Sequence, residues 1–167
     1  MNHTEKIVLP APMFHSFGGW VLDTQFVTNM GTPYLLAHGL GKPVADAWTE
    51  FTAPEDGAYH MFVYTFNWVA PWKPQYAPGV FEILVDGSSA GPVFGGKATA
   101  WGWETGDAIS LSRGTHRLQI HDLTGFEGRV GMVVLSREPE PELPDSPEAV
   151  RCLLFDSVCA PEETVAE

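Results

Sequence analysis

Short apolar runs separated by turn residues are the main pattern of the chain from Trp48 to Ser136. They recur roughly every dozen residues, with Gly, Pro, Asp or Asn between them, which is the spacing of strands in an antiparallel β-sandwich. The predicted strands are 48–53, 58–66, 80–86, 101–103, 107–112, 115–122 and 129–136. The pattern therefore predicts an all-β fold.

The region before these strands has a less regular pattern. Residues 1–17 form an entry segment, in which we predict one short strand at 13–17. Residues 18–47 have no clean period and are interrupted by Gly, Pro and Asn. Long excursions of this kind are more often functional than filler.

The composition changes after Ser136. Residues 138–145 form an acidic Pro/Glu linker, which predicts an extended, solvated segment. Ser146 then offers an N-cap, and Pro147 a first-turn proline, for a short helix that ends near Cys159. The predicted division is a β-sandwich domain (1–137), the linker (138–145), and a short helix with an acidic tail (146–167).

The net charge of −12 is concentrated in the C-terminal tail. Residues 138–167 hold nine acids and one base, which gives −8 and leaves −4 for residues 1–137. Because no basic cluster is present, a phosphate backbone is repelled, and nucleic acid is not an expected partner. No apolar run approaches the roughly 20 residues that span a bilayer, so a membrane is not an expected partner either.

The N-terminus does not read as a secretory signal, because no charged start is followed by a long apolar segment. Cys152 and Cys159 are about two turns apart on the predicted helix, too far for a disulfide within it. Two free thiols indicate a reduced compartment. We expect a cytoplasmic protein, or an exported one whose signal has been removed.

Two glycine-rich motifs have the spacing of known functional loops, and both fail on their context. GPVFGGK (91–97) matches part of a phosphate-binding loop, but Ala98 stands where a hydroxyl is required and no helix pattern follows. GSSAG (87–91) matches a nucleophile elbow, but Pro92 excludes the helix that an elbow must enter. Asp86-Gly87 is better explained as a hairpin turn.

Five large rings fall in predicted inter-strand loops. Trp68, Trp72 and Tyr76 lie in one loop, and Trp101 and Trp103 lie in another. Loops at one end of a sandwich converge, so the rings predict a platform on which the apolar face of a sugar stacks. The alternative is that the rings close the open end of the sandwich over its core.

A polar group accompanies the rings. His121 ends a predicted strand, Asp122 follows it, and Arg129 opens the next strand. Together they form a candidate site for a carboxylate or for sugar hydroxyls. The alternative is that Asp122 and Thr124 organise the turn, with Arg129 as counter-ion. The remaining ligand-binding candidates, from the long early segment, are Gln25 and His38.

Five motifs occur in order between residues 14 and 136. They are GGWVLDTQFVTNMGTPYLLAHGLGKPV (18–44), NWVAPW (67–72), APGVFEILVDG (77–87), WGW (101–103) and HDLTGFEGR (121–129). The series resembles a β-sandwich module of bacterial FAD-dependent oxidoreductases, many of them from polysaccharide-utilisation systems. That module is similar to carbohydrate-binding modules of the galactose-binding-like, calcium-associated type. The resemblance implies an antiparallel jelly-roll β-sandwich with a non-catalytic binding or docking role.

The resemblance also implies a structural calcium site, from which this chain departs. Modules of this type open with a Glu-x-Glu-like element and use an Asp in the last strand. The matching stretches here read APMFHSF and RVGMVVL, with Gly131 at the Asp position. Because calcium needs about six to eight oxygen ligands, we expect this site to be lost or weakened. No other metal or cofactor is predicted.

Three functions remain open. The first is a non-catalytic module that binds a carbohydrate or a glycan-like small molecule through loop tryptophans. The second is an accessory subunit or domain that docks on a flavin-dependent oxidoreductase and lines its substrate pocket. The third is a small enzyme with His121 and Asp122 as an acid–base pair, but no nucleophile or second carboxylate is placed beside them. No catalytic residue is therefore predicted.

Overall fold

The computed structural model describes residues 6–24, 32–68, 78–98 and 100–154. The strands are β1 (Lys6–Pro10), β2 (Val21–Asp23), β3 (Tyr34–His38), β4 (Ala47–Ala53), β5 (Gly57–Thr65), β6 (Phe81–Val85), β7 (Ser88–Ser89), β8 (Gly102–Leu111), β9 (Gly114–Asp122) and β10 (Phe126–Ser136). A 3-10 turn (Ala11–Met13) follows β1, and helix α1 spans Pro147–Leu154.

The strands form two antiparallel sheets that pack face to face. The first has the order β2-β3-β10-β5-β8, with β1 also paired to β10, and the second has the order β4-β9-β6-β7. Inward side chains of both sheets, such as Val63 and Val133 from the first and Ile83 and Leu118 from the second, form the core. The predicted antiparallel jelly-roll sandwich with a short C-terminal helix is confirmed.

The predicted strands from Trp48 onward are present, with changed bounds. Segments 101–103 and 107–112 belong to one strand, β8, which pairs with β5 through a single register shift. The prediction of a strand at 13–17 was wrong. That segment makes only an isolated bridge between Ser16 and Trp48, while the strand of the entry segment is β1.

A second apolar cluster lies on the outer face of the six-stranded sheet. Its buried members are Tyr34, Phe62, Tyr64, Met132, Val134 and Val150. The chain after β10 crosses this face, where Leu143 and Leu153 pack against the cluster and the Trp103 Nε1–H donates to the carbonyl of Pro144 at 2.7 Å. The segment following the sandwich is thus packed against it at these contacts.

The predicted hairpin turn at Asp86-Gly87 is confirmed. It joins β6 to β7, and both residues have positive φ, 53° and 87°, as a type I′ turn requires. Ser88 and Ser89 lie on the short return strand. The GSSAG motif, which has the spacing of a nucleophile elbow, is therefore part of a β-hairpin.

The glycine-rich segment 91–97 forms an anion-binding loop whose anion belongs to the protein. Glu104 on β8 is buried, and its carboxylate accepts hydrogen bonds from the backbone N–H groups of Gly95, Lys97 and Ala98, each at 2.9 Å. Backbone donors that converge in this way favour a negative charge. The match of GPVFGGK to a phosphate-binding loop is therefore explained by the bound Glu104 carboxylate, and no nucleotide is needed to account for it.

We expect Glu104→Ala to lower the free energy of unfolding by about 3 kcal/mol, because three backbone donors lose a charged acceptor. Chemical denaturation measures this change. Glu50→Ala, at a half-exposed glutamate of β4, is the control and should change stability by less than about 0.5 kcal/mol. Similar effects at the two positions would contradict this role of Glu104.

His116 on β9 has a hydrogen-bond acceptor at each ring nitrogen. Nδ1 lies 2.6 Å from Oδ2 of Asp86, and Nε2 lies 2.7 Å from the carbonyl of Ser112. Both partners only accept, so both nitrogens donate and the imidazolium is favoured. The hydrogen bond to Asp86, with that to Ser112, raises the pKa of His116. Burial acts to raise the pKa of Asp86, but hydrogen bonds from the Arg117 N–H and His116 outweigh it, so this pKa is lowered.

The pair predicts a pH-dependent stability. The contribution of His116 is fully present below its ordinary pKa of 6.5 and is lost as the pH rises through the raised folded-state pKa. The contribution of Asp86 is present above its ordinary pKa of 3.8 and is lost as the pH falls through the lowered one. His116→Gln should therefore lower the melting temperature by roughly 2–4 °C near pH 6 and by less near pH 9. His60→Gln on β5 is the matched control, and a pH-independent deficit would disprove the assignment.

Candidate functional site

Asp122 holds together the loops at one end of the sandwich, which we call the loop end (residues 39–46, 78–80 and 122–127). Its carboxylate is buried and accepts hydrogen bonds from the backbone N–H groups of Val44, Thr124 and Gly125 at 2.9–3.1 Å. The Thr124 hydroxyl in turn donates to the carbonyl of Pro78. One carboxylate thereby joins segments that are far apart in the sequence.

Two glycines allow these loops to approach closely. The Gly125 carbonyl accepts from the backbone N–H of Gly39 at 3.0 Å, and Gly125 has φ +72°. A Cβ on Gly125 or Gly39 would lie about 2 Å from the carbonyl oxygen of Lys42. No other residue fits either position without moving the backbone, so the close approach of these loops depends on both glycines.

A row of aromatic rings extends across the outer face of the six-stranded sheet. The centroid distances are 4.9 Å for Tyr34–Trp101, 5.5 Å for Tyr64–Trp101, 5.0 Å for Tyr64–Trp103 and 5.9 Å for Phe66–Trp101. Tyr34, Tyr64, Trp101 and Trp103 belong to the apolar cluster on the outer face and not to the core between the sheets. Trp101 and Trp103 therefore do not close the core, the alternative that the sequence left open.

Arg129 stands where this row meets the loop end. It is paired with Leu36 across β10 and β3, and so lies on the outer face. The centroids of Tyr34 and Trp68 are 5.8 Å and 6.0 Å from its Cζ, at the limit of a cation–π contact. The Trp68 Nε1–H donates to the carbonyl of Phe126 at 3.0 Å, which fixes that ring against the loop end.

The guanidinium of Arg129 makes no ion pair with any residue that the structure describes. Its Nε is buried without a hydrogen-bond partner, although the residue as a whole is partly exposed. The side chain is thus held by aromatic contacts rather than by a carboxylate. Its remaining N–H groups are the strongest candidate donors to a ligand.

Two acidic groups lie close to Tyr34, the aromatic neighbour of Arg129, and neither follows from the strand pattern. Asp23 on β2 accepts a hydrogen bond from the Tyr34 hydroxyl at 2.7 Å. Burial raises the pKa of Tyr34, and the bond to Asp23 raises it further, so the phenol stays protonated. Glu127, at a bulge of β10, is hydrogen-bonded to Nδ1 of His38. We refer to Asp23, Tyr34, Trp68, Glu127 and Arg129 as the Arg129 site.

The structure separates the three polar residues that the sequence placed side by side. Asp122 is used by the backbone of the loop end, which is the turn-organising alternative. His121 lies on the outer face of the four-stranded sheet, where its Nδ1 is 2.9 Å from Oδ1 of Asp46. Arg129 belongs to the other sheet and is not the counter-ion of Asp122. No Asp–His–Arg group is formed.

The remaining candidates have different surroundings. The Trp103 Nε1–H donates a hydrogen bond to the Pro144 carbonyl, and the ring is partly covered by the C-terminal segment. His38 is half exposed and lies beside the Arg129 site through its bond to Glu127. Three candidates lie outside the described residues: Gln25, Trp72 and Tyr76.

A separate groove of about 400 Å³ lies near β1 and contains none of the predicted ligand-binding residues. Its walls are mostly apolar and include Leu9, Met13, Phe14 and Leu153. His15 and Glu50 are its main polar groups.

The residues at the implied calcium positions do not fit a calcium ion. Segment 11–17 and Gly131 supply no carboxylate. Within residues 6–24, 32–68, 78–98 and 100–154, no three His, Cys, Asp or Glu side chains lie close enough together to hold a metal ion.

In the same part of the chain, no helix is both long and apolar enough to cross a membrane.

The fold and the loop end together define a β-sandwich with an aromatic and charged surface at one end. Solved structures with this fold include a family 35 carbohydrate-binding module from Clostridium thermocellum, with TM-score 0.58 and 17% identity over 78% of this chain and 96% of that one. The CBM35 from Paenibacillus barcinonensis has TM-score 0.60 and 13% identity over 79% and 99% of the two chains.

A third similar structure is the Podospora anserina GH26-CBM35 β-(1,4)-mannanase, with TM-score 0.60 and 13% identity over 84% of this chain and 30% of that one. No protein-family model matches the chain, and no curated protein sequence matches it either. At these identities the likeness establishes the fold.

We expect Asp122→Asn to destabilise the loop end, because an amide NH₂ would face backbone donors and leave at least one of them unpaired. Unfolding free energy should fall by about 2–3 kcal/mol. Amide exchange should accelerate at Val44, Thr124 and Gly125 more than in the strands. Asp107→Asn, at an exposed aspartate of β8, is the control. Unchanged amide exchange at these three residues would rule out the role of Asp122 in holding the loops together.

Proposed function

We propose that the chain is a non-catalytic carbohydrate-binding module whose ligand contacts the Arg129 site. The observation that carries the proposal is an arginine that lies beside two aromatic rings at one end of the sandwich and makes no ion pair with any residue the structure describes. The structural neighbours, which are themselves carbohydrate-binding modules, support this function.

The chemistry of the Arg129 site suits a sugar. The C–H face of a pyranose stacks on an indole such as Trp68, while hydroxyls accept from Arg129 and donate to Asp23 or Glu127. Trp101 extends the apolar surface along the sheet. Because the loop end is already held by Asp122, little ordering entropy is lost on binding.

Trp72, Tyr76 and Gln25 stay in this proposal as sequence-based candidates. Trp72 and Tyr76 belong to the segment that follows Trp68 directly, and Gln25 follows β2 after Asp23. Trp68 and Asp23, which precede these residues by a few positions in the sequence, belong to the Arg129 site. His38 is a further candidate through Glu127, whereas His121, which lies on the other sheet, is proposed only as an outlying contact.

The other two functions have less support. An acid–base role for His121 and Asp122 has none in the geometry, because all the hydrogen bonds of the Asp122 carboxylate go to the backbone. Docking on a flavin-dependent oxidoreductase remains a proposal from the sequence resemblance. Such a partner would contact the partly exposed rings Phe66 and Trp101, because Tyr34 and Tyr64 are buried.

Binding is tested by calorimetry and tryptophan fluorescence with β-1,4-linked hexamers of glucose and mannose and a β-1,4-linked galactose hexamer. We expect saturable binding of at least one hexamer. Trp68→Ala and Arg129→Gln should each weaken it by about tenfold or more, since each removes a contact worth about 1.4 kcal/mol.

Trp48→Phe is the matched control, because Trp48 lies on the other sheet with the Arg117 Cζ 3.9 Å from its ring centroid. It should leave the affinity unchanged. Binding that survives both Trp68→Ala and Arg129→Gln would place the ligand elsewhere. Failure of every hexamer to bind would refute the proposed function.

A further inference from the structure

The Arg129 site combines one fixed positive charge with two carboxylates. Arg129, Asp23 and Glu127 all lie close enough to Tyr34 to influence its ionisation. Asp23 is held in place by the Tyr34 hydroxyl, and Glu127 by His38. Two acids thus lie in the neighbourhood of the guanidinium, although it makes no ion pair with a carboxylate in the described part of the chain.

This arrangement differs from a site built for an anion. Such sites concentrate donors and positive charge and keep carboxylates away. Here an anionic group that approached Arg129 would also approach two acids, on a domain whose residues 1–137 already carry −4. At a separation of about 4–8 Å, each like-charge contact costs on the order of several-fold in affinity at low salt.

We propose, building on the carbohydrate-binding function above, that the Arg129 site selects neutral glycans and discriminates against acidic ones. Asp23 and Glu127 are its specificity-determining residues. A pair of neighbouring hydroxyls satisfies both halves of the site, because one accepts from Arg129 and the other donates to a carboxylate. A carboxylate or sulfate ester on the sugar satisfies Arg129 alone.

The test compares each neutral hexamer of glucose, mannose or galactose with its C6-oxidised form, in which the C6 hydroxymethyl groups are replaced by carboxylates. In about 20 mM salt, the full-length protein should bind the neutral form at least about tenfold more tightly. The preference should diminish at about 0.5 M salt, where charge interactions are screened.

Two variants should reduce the preference for the neutral hexamer. Glu127→Gln and Asp23→Asn each remove one negative charge and keep an acceptor oxygen, so each should raise affinity for the oxidised hexamer by about 3- to 10-fold at low salt. Affinity for the neutral hexamer should stay the same or fall. Glu82→Gln removes the same charge on the other sheet and should change neither affinity.

The outcomes separate this inference from the proposed function. Equal or tighter binding of the oxidised hexamers by the unmodified protein, or an unchanged preference in Glu127→Gln and Asp23→Asn, would overturn neutral selectivity while leaving carbohydrate binding intact. If neither form of any hexamer binds, both proposals fall. A shift of the preference in Glu82→Gln as large as in Glu127→Gln would attribute it to net charge and overturn the role of the site.

Discussion

The ends of a β-sandwich impose the constraint on which the rest of this structure depends. Strands satisfy their backbone groups in the sheets, but the loops that connect them must find other partners for every buried N–H. This chain meets the requirement with two buried carboxylates, Asp122 and Glu104, each of which accepts three backbone hydrogen bonds. An acid in such a position is structural, because its oxygens are fully engaged.

The loop aromatics have two different tasks. Trp68 is fixed by the Phe126 carbonyl beside Arg129, whereas Trp103 is fixed by the Pro144 carbonyl under the C-terminal segment. Both hydrogen bonds satisfy the N–H of a partly buried indole. The neighbours of the two rings decide the difference, since only Trp68 of the two lies beside an arginine, and this arginine makes no ion pair with any described residue. A tryptophan in a predicted loop is therefore weak evidence for a ligand until its surroundings are known.

The fold was largely predictable from residue 48 onward, because alternation of buried and exposed positions is a local property of a strand. The hairpin turn at Asp86-Gly87 was also predictable, because the preference of an Asp-Gly pair for a type I′ turn is local as well. Strands β1 and β3 were not, since each is only five residues long and owes its existence to pairing with distant β10. Asp23 and Tyr34 lie in that aperiodic region, which is why sequence reasoning missed these two of the five residues of the Arg129 site.

At the candidate site, the sequence also grouped residues that the structure separates. His121 and Arg129 are close in the sequence, and a hairpin within one sheet would have kept them together. Strand β9 instead belongs to the four-stranded sheet and β10 to the six-stranded one, so the short connection between them crosses the sandwich. The two side chains consequently point to opposite outer faces, and Asp122 between them serves the crossing itself.

Arg129 illustrates why a charge that forms no ion pair with the described residues is retained in a partly buried position. An arginine that formed a salt bridge with Asp23 or Glu127 would be more stable in isolation, but its planar donors would be used within the protein. Here Asp23 is hydrogen-bonded to Tyr34 and Glu127 to His38, and neither carboxylate forms an ion pair with Arg129. The resulting surface offers donors and acceptors at fixed positions with little net charge. Such a surface complements a polar, uncharged ligand better than it complements an ion.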